Sequence, residues 1–210
     1  MLSVIIPSRS WEEGERAVYR LPPGADEVVL IVGNPVHPGH ARNLAAREAR
    51  GSLLVFVDDD VLLRGDLGWF KTAPASEDWW TAARFSDTTG DQGSAAMAAW
   101  WTVAGHLGVW SGTVGAFIAC RRRLFERVGG FPLKYVGEDA GIGEAFHGAG
   151  ARIAVAPIAV ELLRASPFVT KALARNPEFV EMPRPATLPT RRYLPAGSPL
   201  ADRTVGPGQP

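Results

Sequence analysis

Cysteine is nearly missing: Cys120 is the only one in 210 residues. That excludes an internal disulfide and suits a reducing compartment. Net charge is missing too, with 22 Lys+Arg against 22 Asp+Glu. A general nucleic-acid binder needs a basic face, so nucleic acid is not an expected partner. The amino terminus, Met1-Leu2-Ser3-Val4-Ile5-Ile6-Pro7, lacks the basic region and long apolar core of a secretory signal, and a cytoplasmic location is expected. No internal repeat is evident. From Ser94 to Cys120 there is no Asp, Glu, Lys or Arg. A membrane span needs about 20 mostly apolar residues. Here Gly105, Gly108, Gly112, Gly115, His106 and Ser111 dilute the run. A buried core segment is expected, with peripheral membrane contact as the alternative and no transmembrane span.

A hydrophobic content of 46% over 210 residues suffices for one well-buried domain with a tail. The first sixty residues alternate cleanly. Residues 2–7 read as a strand and 12–20 as a short helix; 27–32 read as a second strand ended by Gly33-Asn34-Pro35. The segment 40–50 reads as a helix with Ala41, Leu44, Ala45 and Ala49 on one face and Gly51 just past its end. Leu53 to Val57 is a continuous apolar run, the mark of a strand buried on both faces. This order predicts a mainly parallel α/β sheet.

Residues 64–110 have weaker periodicity and hold six of the seven tryptophans. Further on, Thr113–Ala119 reads as a strand, 124–128 as a short helix, 139–149 as a helix, and Arg152–Ala156 as a strand closed by Pro157. The domain is expected to span 1–175. Past Asn176 the prolines at 177, 183, 185, 189, 195, 199, 207 and 210 predict a PPII-like or disordered tail over 176–210.

Three consecutive acids, Asp58-Asp59-Asp60, tip the apolar strand. Ligands of open α/β sheets bind beyond the carboxyl ends of the strands. Hard oxygen donors there suit Mg2+ or Mn2+ carrying substrate phosphates. A solvated acidic turn is the competing reading. Glu138-Asp139 opens a predicted helix, and such acids serve either as a general base or as a helix cap. Arg121-Arg122-Arg123 reads as a solvated run, with contact of one arginine to a diphosphate as the alternative.

Four pieces in order resemble the family-2 glycosyltransferases of the GT-A fold: Ser3-Val4-Ile5-Ile6-Pro7; Gly39-His40-Ala41-Arg42-Asn43 with Gly51 and Val55-Phe56-Val57-Asp58-Asp59-Asp60; Arg122-Arg123-Leu124-Phe125 with Val128-Gly129-Gly130-Phe131; and Glu138-Asp139 with Gly148-Ala149-Gly150-Ala151-Arg152-Ile153 and Pro157. Together they cover 3–157. The resemblance implies a Rossmann-like, nucleotide-diphospho-sugar transferase domain, a nucleotide-sugar donor, a divalent cation (Mn2+ or Mg2+) and inversion at the anomeric carbon. Asp58 and Asp60 match the metal-binding motif. Pro7, Asn34, Arg42, Asp58 and Asp59 fall at donor-binding positions. The catalytic base falls on Asp139, with Glu138 its rival. Trp100, Trp101 and Trp110 lie in the acceptor-shaping region.

The chain also departs from the family. No acid ends the second strand, where Val32-Gly33-Asn34 stands, and no histidine follows the last strand, where Val160-Glu161-Leu162-Leu163 stands. The third metal ligand, the donor base and the acceptor are therefore not named by the sequence. A nucleotidyltransferase and a non-catalytic nucleotide-sugar-binding or scaffold protein remain the alternatives. The former typically has a Gly-rich loop after its first strand, and Pro7-Ser8-Arg9-Ser10-Trp11 has no glycine.

Overall fold

The computed structural model describes residues 1–33, 38–109, 113–134, 137–165 and, as backbone, 190–195. Its elements run β1 (Leu2–Ser8), α1 (Trp11–Tyr19), β2 (Glu27–Val32), α2 (Pro38–Glu48), β3 (Leu53–Val57), β4 (Val61–Arg64), a 3-10 turn (Leu67–Lys71), β5 (Trp79–Asp87), α3 (Gln92–His106), β6 (Phe117–Arg121), α4 (Arg122–Arg127), α5 (Glu138–Gly148), β7 (Ile153–Leu162) and β8 (Thr190–Pro195). The strands form one sheet in the order β4-β7-β5-β6-β3-β1-β2-β8. Strands β1, β2, β3, β5 and β7 share one direction, and β4, β6 and β8 oppose it. The expected mainly parallel α/β architecture is what the chain forms.

Strand alternation sorts side chains onto two faces. Leu2, Val4 and Ile6 of β1, Val28 and Leu30 of β2, and Val55 and Val57 of β3 join Ala17 of α1 and Ala98 of α3 in one core. Ile5, Val29, Ile31, Leu54 and Phe56 join Ala41 and Leu44 of α2, Leu124 of α4 and Ile142 and Phe146 of α5 in the other. The second core ends in an aromatic cluster. Phe56 packs 5.2 Å from Phe125 and 5.0 Å, edge-on, from Phe131. Removing such a buried ring typically costs about 3–5 kcal/mol.

Local chemistry sets the helix ends. Ser10 caps α1 by accepting from the Glu13 N–H at 3.2 Å. Asp91 caps α3 by accepting from the Ser94 N–H at 2.7 Å. The carbonyls at the end of α2 are met by Arg122, whose guanidinium donates to Ala46 O, Ala49 O and Gly51 O at 2.9, 2.6 and 2.7 Å.

Three expectations are corrected here. Pro157 does not close β7, because the register slips between Ala82 and Arg84 of β5, opposite Ala156 and Ala159. Pro157 falls in that irregularity, where no ladder N–H is needed. The strand expected from Thr113 begins instead at Phe117, after a turn bridged by Val114 and Phe117. The expected tail is not wholly irregular: Thr190–Pro195 adds an antiparallel edge strand to β2, from Thr190 opposite Val32 to Pro195 opposite Glu27. Among the described residues no helix is long and apolar enough to cross a membrane.

Candidate active site at the carboxyl end of the sheet

Asp58 follows β3 directly and turns toward α2, where Arg42 waits. Arg42 is 2% exposed. Its Nη2 donates to Asp58 Oδ1 at 2.5 Å and its Nη1 to Glu138 Oε1 at 2.8 Å. One guanidinium thus joins the end of β3 to the start of α5. Phe131 lies beneath it, 5.2 Å from the guanidinium carbon to the ring centroid. The next residue of α2, Asn43, holds Phe131 in place: its amide donates to Phe131 O and its carbonyl accepts from Phe131 N–H, both at 2.8 Å.

Glycine makes this closeness feasible. A Cβ at Gly115 would sit 2.6 Å from Arg42 Nη2, and one at Gly39 would sit 3.2 Å from Glu138 Cγ. Gly115 also donates its N–H to Asp139 Oδ2 at 3.0 Å, and Asp139 Oδ1 accepts from Ala140 N–H at 2.8 Å. Glu138 is 8% exposed, whereas Asp139 is only half-buried. Of the two neighbours, Glu138 is thus bound inward to Arg42, and Asp139 lies at the accessible side. Burial pushes Glu138 up to about 7; Arg42 opposes this and Asp139 adds to it. Burial pulls Arg42 down, but Asp58 and Glu138 more than offset it, and the guanidinium is held firmly charged.

The other two acids turn elsewhere. Asp59 accepts a hydrogen bond from the Ser8 hydroxyl at the end of β1, and its own carbonyl accepts from Arg20 Nη2 at 2.8 Å. Burial raises the Asp59 carboxyl and Ser8 lowers it; Asp58 adds its repulsion. Asp60 is raised to about 6 by burial and then by Asp58 and Asp59, with Arg164 pulling the other way. Its carbonyl accepts from Leu163 N–H at 2.9 Å, which ties the exit of β7 to the acid triplet. Arg164 donates to Glu13 Oε1 at 2.5 Å. A cleft of about 160 Å³ opens here, with Asp59, Asp60, Arg20 and Arg164 in its wall.

These residues suit a hard divalent cation. Burial, and then the charges of Asp58 and Asp59, weigh against an ionised Asp60, and a cation would relieve that pressure. Among the described residues no group of three His, Cys, Asp or Glu converges to cage an ion. A cation at this place would therefore draw on one or two carboxylates and leave its remaining positions to phosphate and water, the coordination Mg2+ favours.

The sequence-predicted positions divide. Asp58, Arg42, Glu138 and Asp139 come together in one network, with Asp59 and Asp60 beside it. Pro7 sits near the end of β1, opposite Ile31 of β2. Trp101 is half-buried and packs 5.8 Å from Phe85, while Trp100 is 48% exposed on the outside of α3. Asn34 and Trp110 lie outside the described residues. The arginine run is not at this end: Arg121 donates to Glu77 O, Arg122 caps α2, and Arg123 pairs with Asp78 at 2.8 Å. Strand pairing of Arg121 with Leu53 puts the run at the amino end of β3. Sequence reasoning missed Gly115, Phe131 as the bed for Arg42, and the Ser8–Asp59 contact. The signals were Asn43, beside Arg42 in one motif, and Phe131, which ends another.

No family model matches this chain, and no curated protein matches it. Solved structures do. A mannosyltransferase from Pyrobaculum calidifontis, PcManGT, in complex with GDP-Man and Mn2+, aligns with a TM-score of 0.59 and 17% identity over 83% of this chain and 60% of that one. Residues 1–349 of S. aureus TarS in complex with UDP-GlcNAc align with a TM-score of 0.55 and 17% identity, over 81% of this chain and 61% of that one. GalNAc-T7 with UDP, GalNAc and Mn2+ aligns with a TM-score of 0.56 and 14% identity, over 80% of this chain and 44% of that one. The fold of this chain is that shared by these enzymes, the GT-A fold. The chain spans about three fifths of the length of the first of these structures.

Proposed function

We propose that the protein is a divalent-cation-dependent glycosyltransferase that moves a hexose from a nucleoside-diphosphate donor to a hydroxyl-bearing acceptor with inversion. The observation that carries this is the joining of the Asp58 carboxylate, through one buried arginine, to the helix start that bears Asp139. Two acidic centres at the carboxyl end of one sheet are held in fixed relation, as a donor site and an acceptor base require. The neighbours bound to GDP-Man, UDP-GlcNAc and Mn2+ support a nucleotide-sugar donor and a metal of that class.

Asp58 and Asp60 would hold the cation, which when bound neutralises the charge that builds on the departing diphosphate. Asp58 keeps Oδ1 on Arg42 and has its second oxygen for the donor side. Ser8 fixes Asp59, which lines the donor cleft. Asp139 accepts the proton of the acceptor hydroxyl as its oxygen attacks the anomeric carbon. The new C–O bond forms, the bond from that carbon to the phosphate oxygen breaks, and the nucleoside diphosphate leaves. The Gly115 N–H and the Ala140 N–H hold the two Asp139 oxygens, so the carboxylate is oriented before the acceptor arrives. Direct attack from the side opposite the leaving group gives inversion, and no covalent sugar–protein link is needed.

Incubation with GDP- and UDP-sugars, with Mn2+ and then with EDTA, tests this. Release of nucleoside diphosphate from at least one donor, dependent on the cation, is expected. Absence of turnover and binding across the set would overturn it.

A further inference from the structure

The Asp58–Arg42–Glu138 bridge does more than bury charge. Replacing a buried ion pair with apolar residues is often neutral or stabilising, so stability alone is a poor reason to keep one. This bridge spans three elements: Arg42 lies 16 positions from Asp58 and 96 from Glu138. The guanidinium is held by groups other than the two acids. Phe131 supports its face, Asn43 bonds both the C=O and the N–H of Phe131, and Gly115 admits Nη2 where a Cβ would clash and accepts from it at 3.5 Å. A rigid fork aimed at two acids, with its bed fixed by the next residue of the same helix, defines the distance between those acids.

We propose that Arg42 is a positioning residue that sets the distance between the donor carboxylate Asp58 and the base Asp139, acting through Glu138 and the first turn of α5. This rests on the glycosyl-transfer reading of Asp58 and Asp139. Arg42 itself is 3% exposed in its side chain and meets the donor only through Asp58. The resemblance placed this arginine beside the nucleotide; the geometry gives it an indirect part. Glu138 is then the anchor of the base rather than the base. Lysine cannot replace the fork, because one ammonium on a flexible stem does not hold two carboxylates in fixed relation. Misplacement of a reacting group by about 1 Å costs roughly 10²-fold in rate.

The test compares the full chain with Arg42→Lys and Arg42→Gln, and uses Arg122→Lys as a control that loses the α2 cap at the other end of the sheet. Thermal shift with UDP and GDP plus Mn2+ reads nucleotide binding, and steady-state kinetics separates kcat from KM. Arg42→Lys is expected to keep nucleotide affinity within about 3-fold and lose about 10²-fold in kcat, with Arg122→Lys unchanged in both. Unchanged kcat in folded Arg42→Lys overturns the proposal. So does a loss confined to nucleotide affinity, which would make Arg42 a direct donor ligand. An equal kcat loss in Arg122→Lys would reduce the effect to general destabilisation and also overturns it.

Hydrogen–deuterium exchange judges the bridge even if the wild type turns over no nucleotide sugar, an outcome that defeats the glycosyl-transfer reading alone. Asp58→Asn, a change with no direct contact to α5, should speed exchange at 138–148 as Arg42→Lys does, leaving 122–127 unchanged. Exchange at 138–148 that ignores Asp58→Asn shows that the bridge transmits nothing and overturns the proposal.

Discussion

At the amino end of β2, Glu27 is 1% exposed and its needs are met in full. It accepts from the Ser3 hydroxyl, from the Arg50 N–H at 2.8 Å and from Arg50 Nε at 2.9 Å. Burial raises its carboxyl, yet these hydrogen bonds more than offset that, and Glu27 is held below the usual range. At the carboxyl end of β3, Asp60 is raised to about 6 and Glu138 to about 7. A buried carboxylate near arginine is thus settled at one end of the sheet, where Arg50 serves Glu27, and under electrostatic pressure at the other, where Arg42 and Arg164 stand. The difference lies in the donors provided. The Ser3 hydroxyl and two Arg50 donors face one acid at the first end; at the second, one arginine is divided between two acids and Asp60 is crowded by its neighbours. Asp60, raised and set in the wall of a cleft, is the one that points to function, because structural acids are ordinarily supplied with partners.

The comparison breaks most sharply at Asp139. Asp139→Asn should lower transfer by about 10²–10⁴-fold while nucleotide affinity and melting temperature hold. Normal transfer by this variant with loss in Glu138→Gln would move the base by one residue, and activity in both would leave the pair a helix cap. Next comes the cation. EDTA should abolish transfer and Mn2+ restore it, and Asp60→Asn should lose roughly 10²-fold or more in the presence of Mn2+. Full activity in Asp60→Asn would remove the metal from this place.

At the other end the effect should fall on stability. Glu27→Gln removes a charged acceptor and is expected to cost about 1.5–3 kcal/mol at pH 7, with activity per folded molecule unchanged. A carboxyl lowered on folding contributes stability that is present above its unfolded value and lost as pH falls through its folded one. Denaturant melts of wild type should therefore weaken below pH ~4.5, and those of Glu27→Gln should weaken less there. Equal acid sensitivity would show that Glu27 is not the settled acid described. The smallest effect is a gain. Asp60→Asn relieves crowding without a cation present, and should raise stability by about 1 kcal/mol, roughly 2–4 °C in melting temperature. A drop in metal-free stability would mean that Asp60 has a structural task.

Much of this was legible in the sequence. β1, β2, α2 and β3 fall within a residue or two of their expected bounds, because apolar runs and the turn residues that follow them state them locally. The middle was not legible for a physical reason. Trp79, Trp80 and Ala82 of β5 are all buried, so no alternation appears, and α3 shows Ala99, Trp100 and Val103 outward while burying Ala98 and Ala104. Polar and apolar faces that do not differ leave no period to read. Strand β8 was hidden between prolines. The acid triplet and Glu138-Asp139 were visible as motifs. Their connection was not, because it runs through Arg42, Phe131 and Gly115, residues brought together only by the packing of α2 on the sheet.

The asymmetry between the two ends is tested most directly by calorimetric titration of GDP and UDP, with and without Mn2+, into wild type, Asp60→Asn and Glu27→Gln. Mn2+-dependent binding of at least one nucleotide to wild type and to folded Glu27→Gln is expected, with its loss in Asp60→Asn. Binding that ignores Mn2+, or that survives in Asp60→Asn, would contradict it.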